Sequence, residues 1–325
     1  MKRDRLQAGD WVAVRSAEEI LATLDANGAL DELPFMPEML DWCGNRFRVQ
    51  YRAAKTCVGI DSPVYVYPNR RFANDDVVLL DGPRCDGQAH DGCQRGCRIF
   101  WKEAWLRPVE GPDASTPVVQ VGLAELRARL KVRADENRYF CQSTELFAAT
   151  ETFPGRKKKW MVRIALSAVR NRERSAPEIA KQFVRWFWLS LRRKATGDKL
   201  LSGPNKRTPV ESLDLKAGEI VRVKSRDQII ATLDRNGRNR GMGICFEMTR
   251  SCGEKAEVQV RVDRIIDERT GKMRELQNTV MLRNLGDGPN LCNECLCYDE
   301  MGDCPRGELM YWREIWLERT VDRGL

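Results

Sequence analysis

Histidine occurs once in the 325 residues, at His90. That all but excludes a Ser-His-Asp triad and any His-rich metal site. The chain also lacks a Walker A loop, a Gly-x-Gly-x-x-Gly turn after a strand, a Gly-x-Ser-x-Gly elbow and a His-Glu-x-x-His helix. The usual sequence marks of nucleotide binding, serine hydrolysis and zinc proteolysis are therefore missing. No run of eighteen apolar residues is present, so no membrane span is expected. The start, Met1 to Asp10, enters a charged stretch with no apolar core of a leader. The expectation from this is a cytoplasmic protein.

Cysteine is plentiful by contrast, at twelve. In a reducing compartment clustered cysteines serve as metal ligands or redox groups more often than as disulfides. Apolar residues make up 42% and charged residues 31%, with a net charge of +8. That is enough apolar material for packed cores and enough length for two or three domains. The charge permits an anionic partner without requiring one.

An internal repeat organises the chain. Leu6-Gln-Ala-Gly-Asp-Trp-Val-Ala-Val-Arg-Ser16 matches Leu215-Lys-Ala-Gly-Glu-Ile-Val-Arg-Val-Lys-Ser225. Ile20 to Gly28 matches Ile229 to Gly237, and Cys43-Gly44 falls on Cys252-Gly253. Near the ends, Phe100-Trp-Lys-Glu-Ala-Trp-Leu106 matches Tyr311-Trp-Arg-Glu-Ile-Trp-Leu317. Each copy opens on an alternating strand and continues into a short helix. Ser16 is placed as its N-cap, Glu19 as the capping-box partner, and Asn27-Gly28 as its end. Short β-rich segments separated by glycine turns follow. The fold class read from this is mixed but mainly β. Two small SH3-like barrel modules (1–110 and 213–325), arisen by duplication, flank a partly helical basic insert (111–212). Within the insert, Val121–Arg133 and Ala176–Lys194 have helical periodicity. Ile179, Phe183, Trp186, Phe187 and Leu191 form one stripe, expected to dock on the modules. The basic run Arg156–Lys159 and the Arg/Lys-rich helix could instead meet nucleic acid or an acidic lipid surface, but a solvated helix face is favoured.

The chemistry is read from two cysteine loops. The first copy has Cys85, Cys93 and Cys97 with His90 between them. Glycine and aspartate let that loop fold back on itself. A fourth ligand is needed for a closed tetrahedral site, and the candidates are His90, Cys57, Cys43 and Cys141. The second copy has Cys292, Cys295, Cys297 and Cys304, a full set by itself. Neither loop has the paired Cys-x2-Cys knuckles usual for zinc, and the Cys-x2-Cys-x-Cys spacing is closer to one that wraps a cluster. An iron–sulfur cluster, for instance of the 4Fe-4S type, is the first expectation and zinc the alternative. Cys43, Cys245 and Cys252 read as small buried hydrophobes.

The string Phe35-Met-Pro-Glu-Met39, Cys43-Gly44, Lys55-Thr-Cys57, Arg84-Cys85, His90, Gly92-Cys93-Gln94, Gly96-Cys97 and Phe100-Trp-Lys-Glu-Ala-Trp-Leu106 resembles a family of uncharacterised bacterial proteins with Cys-rich loops. Cys141-Gln142 and Thr144-Glu145-Leu146 extend the likeness into the insert. The resemblance brings no activity with it. It adds weight to Cys57 and Cys141, which sit in the matching stretches. The expected function is a metal-binding protein in redox or sulfur chemistry, or an accessory to an enzyme doing it. The alternative is a zinc-stabilised module that binds a peptide or, less favoured, nucleic acid. A third reading has the cysteines reacting as nucleophiles.

Overall fold

The computed structural model describes residues 5–58, 69–112, 121–153, 157–196, 201–244, 248–285, 307 and 309–320. Cys245, Cys292, Cys295, Cys297 and Cys304 lie outside the described residues. What is described is mainly β, built on two five-stranded antiparallel sheets.

In the first sheet Trp11–Val14 lies between Arg46–Arg52 and Leu106–Val109. Val77–Arg84 pairs with the far side of Arg46–Arg52, and Arg98–Lys102 forms the edge beyond it. Ser16 caps helix α1 (Ala17–Leu21) through a capping box with Glu19. The helix stops well before Asn27-Gly28, because an aspartate takes over. Asp25 Oδ1 accepts the backbone N–H groups of Asn27 and Ala29, and so sets a turn. Gly28 does adopt a positive φ of 76°, and a Cβ there would stand 3.1 Å from the Arg129 carbonyl oxygen. Trp101 and Trp105 are fully buried, with Phe35 edge-on to both.

The insert begins on this core. Helix α2 (Leu123–Arg129) is shorter than its periodicity predicts and buries Leu126 in the first module's core. Helix α3 (Gln142–Glu145) follows. Helices α4 (Lys157–Arg170) and α5 (Ala176–Thr196) then form a hairpin. Ser175 caps α5, sharing hydrogen bonds with Glu178, so Ala176 is already its first helical residue and Pro177 its second. Ile164, Ala165 and Ala168 of α4 pack on Ile179, with Phe183 against them. Among the described side chains the seam goes no further. Phe187 and Leu191 are exposed, at 54% and 43%, and the expectation that the whole stripe docks is corrected at those two positions. The hairpin is held to the first module by its turn, where Ala8 N donates to Asn171 O and Arg52 N to the Glu173 carboxylate.

In the second sheet Ile220–Val223 lies between Lys255–Arg261 and Leu317–Arg319, followed outward by Thr279–Asn284 and Tyr311–Arg313. The strand order repeats that of the first sheet, and the ladder is irregular at matching places, after Val49 and after Val258. Helix α6 (Arg226–Ile230) is capped by Ser225 with Gln228. Trp105 Nε1 donates to Thr23 Oγ1, and Trp316 Nε1 to Thr232 Oγ1. Glu103 accepts the Leu6 N–H as Glu314 accepts that of Leu215. Residues aligned in the sequence repeat thus occupy equivalent places. Among the described residues no helix is long and apolar enough to cross a membrane.

Candidate metal centre

The cysteine loop runs between two neighbouring strands of the first sheet, so its ends are fixed. Cys85 N donates to Cys97 O at 2.8 Å and closes its base. Gly87 turns the chain with φ 67°, at a point where a Cβ would stand 2.0 Å from the Cys93 carbonyl oxygen. No other residue type fits there. Asp91 and Gly92, at φ 51° and 72°, turn it again. The loop folds back as its glycine and aspartate content leads one to expect.

The result is one cavity lined by Cys85, Cys93 and Cys97, and by Cys141 from the insert. Met36, Phe100, Leu146 and Ile266 supply apolar wall. Of the candidate fourth residues, Cys141 joins the loop thiols. Cys43 is elsewhere, packed in the first core, its thiol pushed up to about 11 by burial. Cys57 lies on the short strand Thr56–Cys57, paired with Asn69–Arg71, and is not among the cavity walls. His90 lines the cavity with both ring nitrogens engaged. Nδ1 stands 2.6 Å from Glu38 Oε1, and Nε2 stands 3.1 Å from the Phe140 carbonyl oxygen. Neither nitrogen is left to ligate a metal in this arrangement, and the imidazole braces the loop against the insert instead.

Cys141 is held by its neighbour. Gln142 is buried, donates to the carbonyls of Pro34 and Phe100, and accepts the Phe100 N–H. Phe100 belongs to the edge strand, so one glutamine side chain completes its backbone bonding and pins the insert to the sheet. On the other side, Cys93 Sγ accepts the Ile266 N–H at 3.3 Å. Ile266 belongs to a hairpin of the second module, Arg264–Ile266 with Met273–Glu275. Arg95 donates to the Ile266 carbonyl and pairs with Glu268. Three parts of the chain therefore meet at one set of sulfurs.

Burial pushes the Cys85 thiol far above its ordinary range, and the Glu38 and Cys97 charges add to this. Burial raises Cys141 too, against the N–H groups of Thr144 and Ser143 that favour its thiolate. Thiols so placed stay protonated unless a cation draws the protons off, which is what metal binding does. For His90 burial opposes the charged ring, but the Glu38 carboxylate and the Phe140 carbonyl outweigh it and its pKa is raised. Among the described residues no three His, Cys, Asp or Glu side chains already close around one point.

Sequence reasoning missed Glu38, Gln142 and the second module's hairpin. Glu38 had a signal, being the one acid within the apolar Phe35–Met39 stretch. Gln142 had only its place beside Cys141. The hairpin had none.

Gln94 fastens the loop to the second module. Its side chain donates to the Arg261 carbonyl and accepts the N–H groups of Asp263 and Arg264. Gln94→Ala is expected to cost about 0.5–1.5 kcal/mol, since Asp263 and Arg264 lie at the surface and water can take up part of what they lose. Urea denaturation followed by tryptophan fluorescence measures this. An unchanged midpoint would mean water replaces the amide at no cost. No protein-family model, no curated protein and no solved structure matches the chain.

Proposed function

We propose that this chain is an iron–sulfur protein whose first centre is held by Cys85, Cys93, Cys97 and Cys141. One observation carries the reading: three thiols of a folded-back loop and a fourth from the insert line the same apolar cavity. A single zinc ion would need its sulfurs within about 4 Å of one another, given Zn–S bonds of about 2.3 Å. A cluster takes its cysteines around a larger body, which suits sulfurs that line a wall and do not converge on a point. The Ile266 N–H on Cys93 is the kind of contact that tunes cluster sulfur. In this reading His90 and Cys57 are not ligands. The second loop, Cys292, Cys295, Cys297 and Cys304, holds a centre of its own by virtue of its spacing. The two sheets with their capped helices are SH3-like modules from a duplication, and the centre serves redox or sulfur chemistry, alone or beside a partner enzyme.

The test is purification without oxygen followed by iron, acid-labile sulfide and zinc analysis with a visible spectrum. Iron and sulfide in equal amounts with broad visible absorbance are expected. A colourless protein carrying stoichiometric zinc would turn the reading into that of a zinc-stabilised binding module. A colourless protein without metal would end it.

A further inference from the structure

The α4–α5 hairpin is set apart by charge. Between residues 156 and 194 the sequence carries thirteen Lys or Arg against two acidic residues. That stretch alone exceeds the +8 of the whole chain, so the remainder is net acidic. The same hairpin has an uncovered apolar face. On α4 Val162, Leu166 and Val169 are exposed, spaced four and three residues apart and hence on one side of the helix. On α5 Val184, Phe187, Trp188 and Leu191 do the same, with Trp188 65% exposed. The buried seam residues Ile164, Ala165, Ala168 and Ile179 lie about a third of a turn from each stripe in the same rotational sense. In an antiparallel hairpin that places both stripes on the same side. Exposed Arg163, Arg170 and Lys181 stand next to them on the helical wheel.

We propose that this face binds the surface of an anionic lipid bilayer. Basic amphipathic helices with Trp, Phe and Leu opposite lie in the interface, the apolar side chains sinking below the headgroups and the cations meeting their phosphates. The aliphatic share of the face decides between anions. Valine and leucine gain nothing against a phosphate backbone or a stacked base, but they gain from acyl chains. The hairpin is tied to the first module by its turn, so docking would hold the cysteine cavity near the membrane. The proposal stands independently of which metal that cavity takes.

The full-length protein is floated with phosphatidylcholine vesicles, with and without phosphatidylserine, across a salt series. Binding to the phosphatidylserine vesicles only, weakened by salt, is expected. Phe187→Glu and Trp188→Glu should each weaken it about tenfold or more, whereas Val210→Glu, exposed elsewhere, should not. Both hairpin positions already face water, so the variants retain the fold, and circular dichroism checks this. No binding, equal binding to neutral vesicles, or binding that survives both substitutions overturns the proposal. So does tighter binding to a mixed-sequence RNA or duplex DNA than to the vesicles. A dimer in sedimentation that the same two substitutions dissolve also overturns it, by assigning the face to a second copy.

Discussion

Cys141→Ser is expected to empty the first centre while leaving the backbone around it in place. Serine is close to cysteine in size and is itself a preferred N-cap, so the start of α3, where Cys141 sits, is preserved. What disappears is the thiolate, which is the ligand. On the proposal that the other loop holds a centre of its own, iron and visible absorbance should fall by about half. Cys85→Ser should match it. Cys57→Ser and Cys43→Ser should leave both quantities unchanged, because those residues lie on a paired strand and in the core, away from the cavity. Metal binding free energy is also folding free energy. The Cys141→Ser protein should therefore unfold at lower temperature, and the insert should become sensitive to proteolysis between α2 and α3. Should Cys141→Ser retain all its iron while Cys57→Ser loses half, the centre is closed by the strand cysteine and the cavity is only a packed wall of thiols.

Local devices were open to sequence reading. Ser16 with Glu19 and Ser225 with Gln228 form capping boxes from bonds within four residues, so their spacing alone identifies them. The loop reversals at Gly87 and Gly92 are equally local. The repeat could be seen because Trp105 and Trp316 each have a threonine partner about eighty residues away, and both partners recur just past the aligned helices. Choosing among Cys43, Cys57, His90 and Cys141 was not possible in this way. That choice depends on Gln142 finding an unpaired strand edge forty residues back along the chain. The contact between Cys93 and Ile266 spans still more sequence and follows no periodicity. The α5 stripe shows the limit from the other side. Periodicity tells which residues share a face, but not whether anything covers it, and at Phe187 nothing described does.

Glu38→Ala should be strongly destabilising, at about 3–5 kcal/mol. Both Glu38 and His90 are buried, and their side chains are only 2% exposed. Removing the carboxylate strands Nδ1 in apolar surroundings next to the cavity, while Nε2 still donates to Phe140 O. Glu38→Gln keeps a hydrogen-bond acceptor and should cost less. The two variants differ from the native protein in a pH-dependent way. His90 has a raised pKa in the fold, although burial opposes it, because Glu38 and the Phe140 carbonyl favour the charged ring. Its contribution to stability is thus fully present below the unfolded value of about 6.5 and is lost as pH rises through the higher folded value. The gap between native and Glu38→Gln stability, from urea denaturation, should be wide at acidic pH and narrow on the alkaline side. A gap that stays constant would mean that the ring does not change charge over the range. Joint replacement, Glu38→Leu with His90→Phe, separates pairing from packing. It removes both buried polar partners, so it should recover much of what Glu38→Ala loses, while the Phe140 carbonyl is left without its donor. The loop would then be held to the insert by Asp91, which accepts from Arg133 and from the Tyr139 hydroxyl, and by the proposed metal, and the double variant should tolerate chelators less well than the native protein.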